Sequence, residues 1–411
     1  MRATSLVRKV LNIKSIRVRH VSFSPAGLMC DVAPTTKVPR CGGCGCRARG
    51  YDRRPKARRW RHLDFGGMRV ELRYAIRRVD CRRCGVTTEL VPWAAHNSWF
   101  TFAFEQTVGF LAQAAAKTVV SEMMRVAWVT VGSIIQSVVA RRGGTDPLDG
   151  LIHIGVDELS YRKHHEYVTI VVDHVTGNVV WARPGKNADT FKSFFEELGP
   201  ERSAAIRIIT MDMSQAYIKA VREVAPQAKI VFDRFHVQRL AHVALDEVRR
   251  AEVRHVVNPQ DRDALKKTRF VLQKNPWNLS AVEHGKLTDV KRTNHRLFTA
   301  YLLKESLAAI LDRRQQHVAR TKLEEWATWA SHSTLKPFVK VAKTVRKHLD
   351  GILGYIATGL SNARSEGLNR KARAITHRSF GFHSATSLIA MLFLCCSGLR
   401  LTPSHVAPRT H

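Results

Sequence analysis

The chain has 411 residues, 45% of them hydrophobic, enough to bury cores in two or three domains and too apolar for an intrinsically disordered protein. Its 67 Lys and Arg against 34 Asp and Glu leave a net charge of +33, which excludes an ordinary enzyme of small neutral metabolites and points to a polyanionic partner held through counterion release. Met1 to Asn12 lacks the apolar core of a secretory signal, and the longest late apolar run, Leu388 to Cys396, falls far short of the roughly 20 residues a membrane span needs, so a cytoplasmic protein working without a membrane is expected.

The first predicted element is a β-hairpin, in which Ile16, Val18, Val21 and Phe23 precede a Ser-Pro-Ala-Gly turn and Leu28 to Val32. Two Cys-x-x-Cys pairs follow, Cys41/Cys44 and Cys81/Cys84. Each pair sits on a tight turn that aims two thiolates at one ion, and two such turns make a closed Cys₄ site for structural Zn²⁺. Cys46 is a competing ligand, and Cys30 reads as a small core residue. Between the pairs, Val70, Leu72, Tyr74 and Ile76 alternate with polar residues, predicting a hairpin that turns at Gly66-Gly67 and is clamped by the metal. From Lys37 to Cys84 there are sixteen Lys or Arg and four Asp or Glu, so this module, with Arg58 and Arg59 among its cations, suits contact with DNA phosphates.

From Phe102 the period becomes helical. Phe104, Val108, Leu111 and Ala115 form one stripe, Val119 to Met124 begin a second helix, and Val131, Ile134, Ile135 and Val138 mark a third, closed by Arg141 and Arg142. Two short helices joined by a brief turn have the form of a helix-turn-helix, whose second helix would present Thr130 and Gln136 to a major groove. A plain three-helix packing unit is the alternative.

After a Gly-Gly-Thr-Asp-Pro linker, Ile152 to Glu158 reads as a short buried strand that stops at an acidic pair containing Asp157. Strands at Tyr167–Val172 and Val179–Ala182 complete a meander; a helix with Phe191, Phe194, Phe195 and Leu198 leads to a strand, Arg207 to Met211, that also stops at an acid, Asp212. A helix at 216–224 and a strand at 229–232 give a β-β-β-α-β-α-β order, that of the RNase H-like fold. Asp173 reads as a turn former and Glu158 as lying on the face of its strand opposite Asp157. Asp233 and His236 lie beside the presumed site, where a helix cap with a packed histidine is the alternative. Residues 258–355 contain no credible strand and read as an all-α insertion whose tryptophans pack between helices, with stacking on an unpaired base as the alternative. A basic helix then carries Glu366, with Asn369, Arg370 and Arg373 on the same face at i+3, i+4 and i+7. Three carboxylates from two strand ends and a helix suit two Mg²⁺ (or Mn²⁺) ions flanking an in-line phosphoryl displacement.

The paired cysteines, the helix-turn-helix, Gly155-Val-Asp157-Glu158, Thr210-Met-Asp212, Asp233-Arg-Phe-His236, Ala300-Tyr-Leu-Leu-Lys-Glu305 and Ser361-Asn to Glu366-Gly-Leu-Asn369 together resemble the bacterial insertion-sequence transposases of the DDE type, the ISL-three family. The resemblance implies Asp157, Asp212 and Glu366 as catalytic residues and metal ligands, and a protein that binds the terminal inverted repeats of its element, cleaves the DNA and transfers the 3′ ends to target DNA. It also implies a homodimer or higher oligomer on double-stranded DNA in the bacterial nucleoid. The expected fold is multidomain α+β: an N-terminal β/zinc-binding domain (1–95), a helix-turn-helix (100–142), an RNase H-like α/β core (150–257 and 356–400) and the all-α insertion (258–355). A non-catalytic zinc/helix-turn-helix regulator and an RNase H-like junction or repair nuclease are the competing readings.

Overall fold

The computed structural model describes residues 3–53, 56–141, 146–162, 166–360, 363–379 and 382–403, without the side chains of residues 162, 363–366 and 369. The backbone forms two compact units, one of Met1–Gly143 with Arg378–Phe380 and Ala390–His411, the other of Gly144–His377 with Gly381–Ile389.

The first unit opens with helix α1 (Ala3–Leu11), which the sequence reading did not anticipate, followed by β1 (Ile16–Ser24), β2 (Gly27–Pro34), β3 (Arg49–Arg53), β4 (Arg58–Phe65), β5 (Met68–Tyr74), β6 (Arg77–Cys81) and β7 (Gly85–Thr88). These strands make two sheets, β1-β2-β5-β4 and β3-β6-β7. In the larger sheet β1/β2 and β4/β5 are hairpins, the second turning at Gly66-Gly67 between the paired Phe65 and Met68, with Gly66 at φ +59°. Alternate residues Leu28, Cys30, Val32, Trp60, Val70 and Leu72 enter one core, where Trp93 stands edge-on to Trp60 at 5.5 Å. The arginine-bearing hairpin β4/β5 therefore has its own apolar core. The cysteine pairs do not clamp it, contrary to the expectation from sequence; they lie with the three-stranded sheet, whose core among the described residues is Cys41, Ala48, Val79 and Cys81.

Helices α2 (Phe102–Ala114), α3 (Lys117–Met124) and α4 (Trp128–Ala140) follow. Thr101 caps α2 by accepting from the Phe104 N–H, and Arg125, left-handed at φ 52°, ends α3 so that α4 departs at 101° to it. Val120, Val131, Ile134, Ile135 and Val138 are buried in the packing of these helices.

The second unit contains β8 (His153–Arg162), β9 (Glu166–Asp173), β10 (Val179–Pro184), α5 (Ala188–Leu198), α6 (Pro200–Ala205), β11 (Ile208–Met211), α7 (Gln215–Val224) and β12 (Lys229–Phe232). Their sheet has the order β10-β9-β8-β11-β12, antiparallel through β8 and parallel from β8 to β12. Strand β8 does not stop at Asp157. It runs on to Arg162 because Glu158, Leu159 and Ser160 continue the antiparallel ladder on Thr169, Val168 and Tyr167 of β9. What ends near Asp157 is its partnership with β11, last paired at Gly155↔Thr210.

Thereafter the chain is helical: α8 (Arg234–His255), α9 (Pro259–Lys266), α10 (Arg269–Gln273), α11 (Ala281–Thr293), α12 (His295–Leu311), α13 (Gln316–His332), α14 (Lys336–Lys347), α15 (Leu349–Thr358), α16 (Ala363–Arg378) and α17 (Ala385–Cys396). One apolar cluster joins the sheet to this segment, from Ile154 and Met211 through Leu245 and Leu303 to Leu353. Helix α15 lies so close on β12 that a Cβ at Gly351 would come within 2.4 Å of the Phe232 ring. Trp326 is buried with its indole N–H donating to the Leu303 carbonyl at 2.9 Å, as a packing residue should, whereas Trp277 is 73% exposed and does not pack between helices. Among the described residues no single helix is long and apolar enough to cross a membrane.

Candidate active site and thiolate cluster

The parallel register aligns three acids. Gly155 pairs with Thr210 and Met211 with Phe232, so continuing the ladders by two residues and one residue brings Asp157, Asp212 and Asp233 level on neighbouring strands about 4.8 Å apart, at the carboxyl ends where α/β sheets bind ligands. Each carboxylate is oriented locally: Asp157 Oδ1 accepts from the Glu158 N–H at 2.7 Å, Asp212 Oδ1 from the Ser214 N–H at 3.0 Å, and Asp233 Oδ1 from the Phe235 N–H at 3.2 Å as the cap of α8. Asp157, Asp212, Asp233 and His236 line one cleft of about 1000 Å³. Arg370 and Arg373 of α16, both exposed, line the same cleft with Thr376 and His377. Helix α16 also contains Glu366 and Asn369, whose side chains lie outside the described residues.

The cleft contains residues that sequence reasoning missed. Arg239 follows His236 at i+3 on α8, and Thr376 and His377 follow Arg373 at i+3 and i+4, so helical periodicity carried the signal. Glu158 borders the same cleft although strict alternation assigns it to the other face. Burial, and next the Asp212 charge, push its carboxyl above the usual range, while a hydrogen bond with Tyr217 opposes that rise. Tyr217 is itself held by the Thr169 hydroxyl at 2.9 Å. His236 Nε2 lies 3.9 Å from Asp233 Oδ2, so the two are neighbours within the cleft. Asp173 accepts from the Val175 and Thr176 N–H groups, as a turn former does.

In the first unit the Sγ atoms of Cys41, Cys44, Cys81 and Cys84 all lie within 4.8 Å of one another, and Cys44 and Cys81 are 3.6 Å apart. A tetrahedral ion with metal–sulfur bonds of about 2.3 Å separates its ligands by about 3.8 Å, so the four thiols fit zinc. Cys46 is not part of the cluster; its carbonyl accepts from the Cys41 N–H. Cys30 is fully buried and its thiol is pushed up to about 11 by that burial, consistent with an inert core residue.

Residues 154–392 match a family described as a transposase of the DDE type, ISL3. The chain belongs to the ISL3 family of insertion-sequence transposases. Within this transposase, residues 37–84 match the zinc finger of the IS204/IS1001/IS1096/IS1165 transposases, and residues 89–139 match the helix-turn-helix domain of the ISL3 family. The transposase is 36% identical to the transposase for insertion sequence element IS1557 of Mycobacterium tuberculosis, over 98% of this chain and 97% of that protein. It is 28% identical to the transposase for insertion sequence element IS1001 of Bordetella parapertussis, over 85% and 86% of the two chains. It is therefore an enzyme acting on DNA, which sets the non-catalytic regulator aside.

The DNA-contact candidates occupy unlike environments. Arg59 is exposed, 3.7 Å from Glu71, whereas Arg58 lies over the Trp60 and Trp99 rings and donates to the Ser98 carbonyl at 2.8 Å. Arg141 pairs with the buried Glu105 and covers Phe102. On α4, Gln136 is exposed and Thr130 half-buried. Arg142 lies outside the described residues.

Proposed function

We propose that the transposase binds the terminal inverted repeats of its element, cleaves the DNA there and joins the 3′-OH ends to target DNA, with Asp157, Asp212 and Glu366 as catalytic residues and ligands of two Mg²⁺ or Mn²⁺ ions. The observation that carries this reading is the level placement of Asp157 and Asp212 on adjoining parallel strands, in one cleft faced by the helix that contains Glu366. The fold reading goes with it: antiparallel meander, then two parallel strands, is the RNase H-like order, and α9 to α15 form an all-α insertion ahead of the Glu366 helix. Carboxylate oxygens are the donors hard divalent cations take, and the cleft is large enough to admit a phosphodiester beside them. Bound there, two such ions supply a deprotonated nucleophile and neutralise charge on the attacked phosphate. Arg370, Arg373 and Arg239 hold the phosphates of the strand being cut, and Asp233 fixes the start of α8 so that His236 and Arg239 face the cleft.

Zinc in the four-cysteine cluster holds the small sheet, and Arg59 contacts phosphates without reading sequence. Helix α4 enters the major groove of the repeat. Pairing of two element ends calls for a homodimer or higher oligomer, working on the bacterial nucleoid. The reading is tested with Asp212→Asn on a duplex carrying one element end: cleavage is expected to disappear while end binding stays within a few-fold of the native protein. Cleavage at the native rate by this variant removes Asp212 from the mechanism.

A further inference from the structure

Helix α4 has the sequence Trp-Val-Thr-Val-Gly-Ser-Ile-Ile-Gln-Ser-Val-Val-Ala and contains no charged residue, no asparagine and no histidine. In a chain of net charge +33 that is a departure with a chemical meaning. Arginine and lysine pair with guanine, and aspartate or glutamate with the cytosine amino group; glutamine pairs with adenine N6 and N7, and apolar side chains meet the thymine methyl. The buried side of α4 is Val131, Ile134, Ile135 and Val138. The side left to solvent carries Val129, 70% exposed, with Ser133 and Gln136 at i+4 and i+7, so these three share one face. One exposed valine means nothing alone. Here it sits at the second residue of a helix that follows a three-residue turn at 101°, the end from which such helices reach base edges. The cations nearest the helix are engaged by the protein: Lys117 Nζ lies 3.4 Å from the centre of the Trp128 ring, Arg125 at the turn pairs with Asp64, and Arg141 at the end pairs with the buried Glu105. The exposed face of α4 itself is neutral.

We infer that α4 reads A·T base pairs, with Gln136 on an adenine edge and Val129 on a thymine methyl. The inference rests on the proposal that α4 is the helix that enters the major groove of the terminal repeat. Seven residues of helix span about 10.5 Å, close to three base-pair steps of about 3.4 Å, so the two contacts fall about three base pairs apart.

The test is selection of binding sites from random duplexes by the full-length protein, native and with Val129→Ala or Gln136→Ala, followed by thymine-to-uracil exchange at each selected position. Both side chains are exposed, and far-UV circular dichroism checks that the variants fold. Expected are A·T pairs at the positions whose preference the variants alter. Uracil there should weaken native binding by about fourfold, the worth of one buried methyl, and leave Val129→Ala unaffected. Gln136→Ala should lose roughly tenfold against the selected site and accept other bases in place of its adenine. Guanine or cytosine at the altered positions overturns the base assignment while keeping α4 as the reader. Variants that keep the native consensus and affinity, or lose affinity equally on selected and random duplexes, overturn the inference together with the role of α4 in reading.

Discussion

Cys41, Cys44, Cys81 and Cys84 face one another beside a three-stranded sheet whose core, among the described residues, is four side chains, whereas Asp157 and Asp212 stand on a five-stranded sheet continuous with a core that runs through the helical segment. The thiols are soft donors closed around one point, beside a sheet that also carries the buried Glu89, which pairs with Arg77 and accepts from the Tyr74 hydroxyl. The carboxylates are hard donors lining an open cleft, on a sheet backed by an extensive apolar core. On the proposed function, the contrast separates a metal that would make structure from metals that would do chemistry. Removing ligands from the first site should cost folding and DNA affinity; removing them from the second should cost reaction rate alone.

The largest expected effect breaks the second side of that contrast. Asp157→Asn should lower cleavage by about a thousandfold or more, in line with the several kcal/mol that metal-ion catalysis supplies, with no change in the thermal unfolding of either unit. Next comes the first side. Cys84→Ser should lose one equivalent of zinc by elemental analysis and melt the β3-β6-β7 sheet, while the edge-on Trp60–Trp93 pair in the neighbouring core keeps its near-UV circular dichroism. A variant that loses both signals together would show the two sheets to be one cooperative structure.

The four-stranded sheet has its own pH signature. His62 is buried with Nδ1 2.9 Å from the Thr101 hydroxyl, and burial pushes its imidazole down to about 4. Unfolded, the ring binds its proton near pH 6.5, so between pH 6.5 and 4 the unfolded state holds the extra proton and stability falls as pH falls, by about 3 kcal/mol at most. Denaturant titrations read by tryptophan fluorescence at pH 7 and 4.5 should show this loss, and His62→Gln should flatten it. The smallest effect separates two adjacent arginines: Arg59→Ala should lower the slope of log affinity against log salt by about one, as one lost phosphate contact does, while Arg58→Ala, removing a guanidinium packed between two tryptophans, should mainly lower the unfolding temperature.

Much of this was legible because the signals were local. Apolar runs ending in Asp157 and Asp212, the turn at Gly66-Gly67 and the paired cysteines are each encoded within a few residues. What was misread depended on partners distant in sequence. Strand β8 outlasts its apolar run because β9 continues to pair with it, and the arginine hairpin has a core of its own because β2 lies parallel to β5. Helix α1, amphipathic but short, owes its place to burial of Leu11 against the β1 sheet. Arg239 and His377 in the cleft were readable from spacing along their helices, yet only the fold shows that those helices border the same acids.

Under the proposed mechanism Asp157, Asp212 and Glu366 surround one pair of divalent ions. Iron(II) bound in their place, with ascorbate and peroxide, cuts polypeptide next to its ligands, so mapping the fragments of the full-length protein tests this arrangement directly. Three groups of cuts are expected, near residues 157, 212 and 366, all suppressed by excess Mg²⁺ and all lost together in Asp212→Asn. Cuts near 157 and 212 with none in α16 would contradict that mechanism.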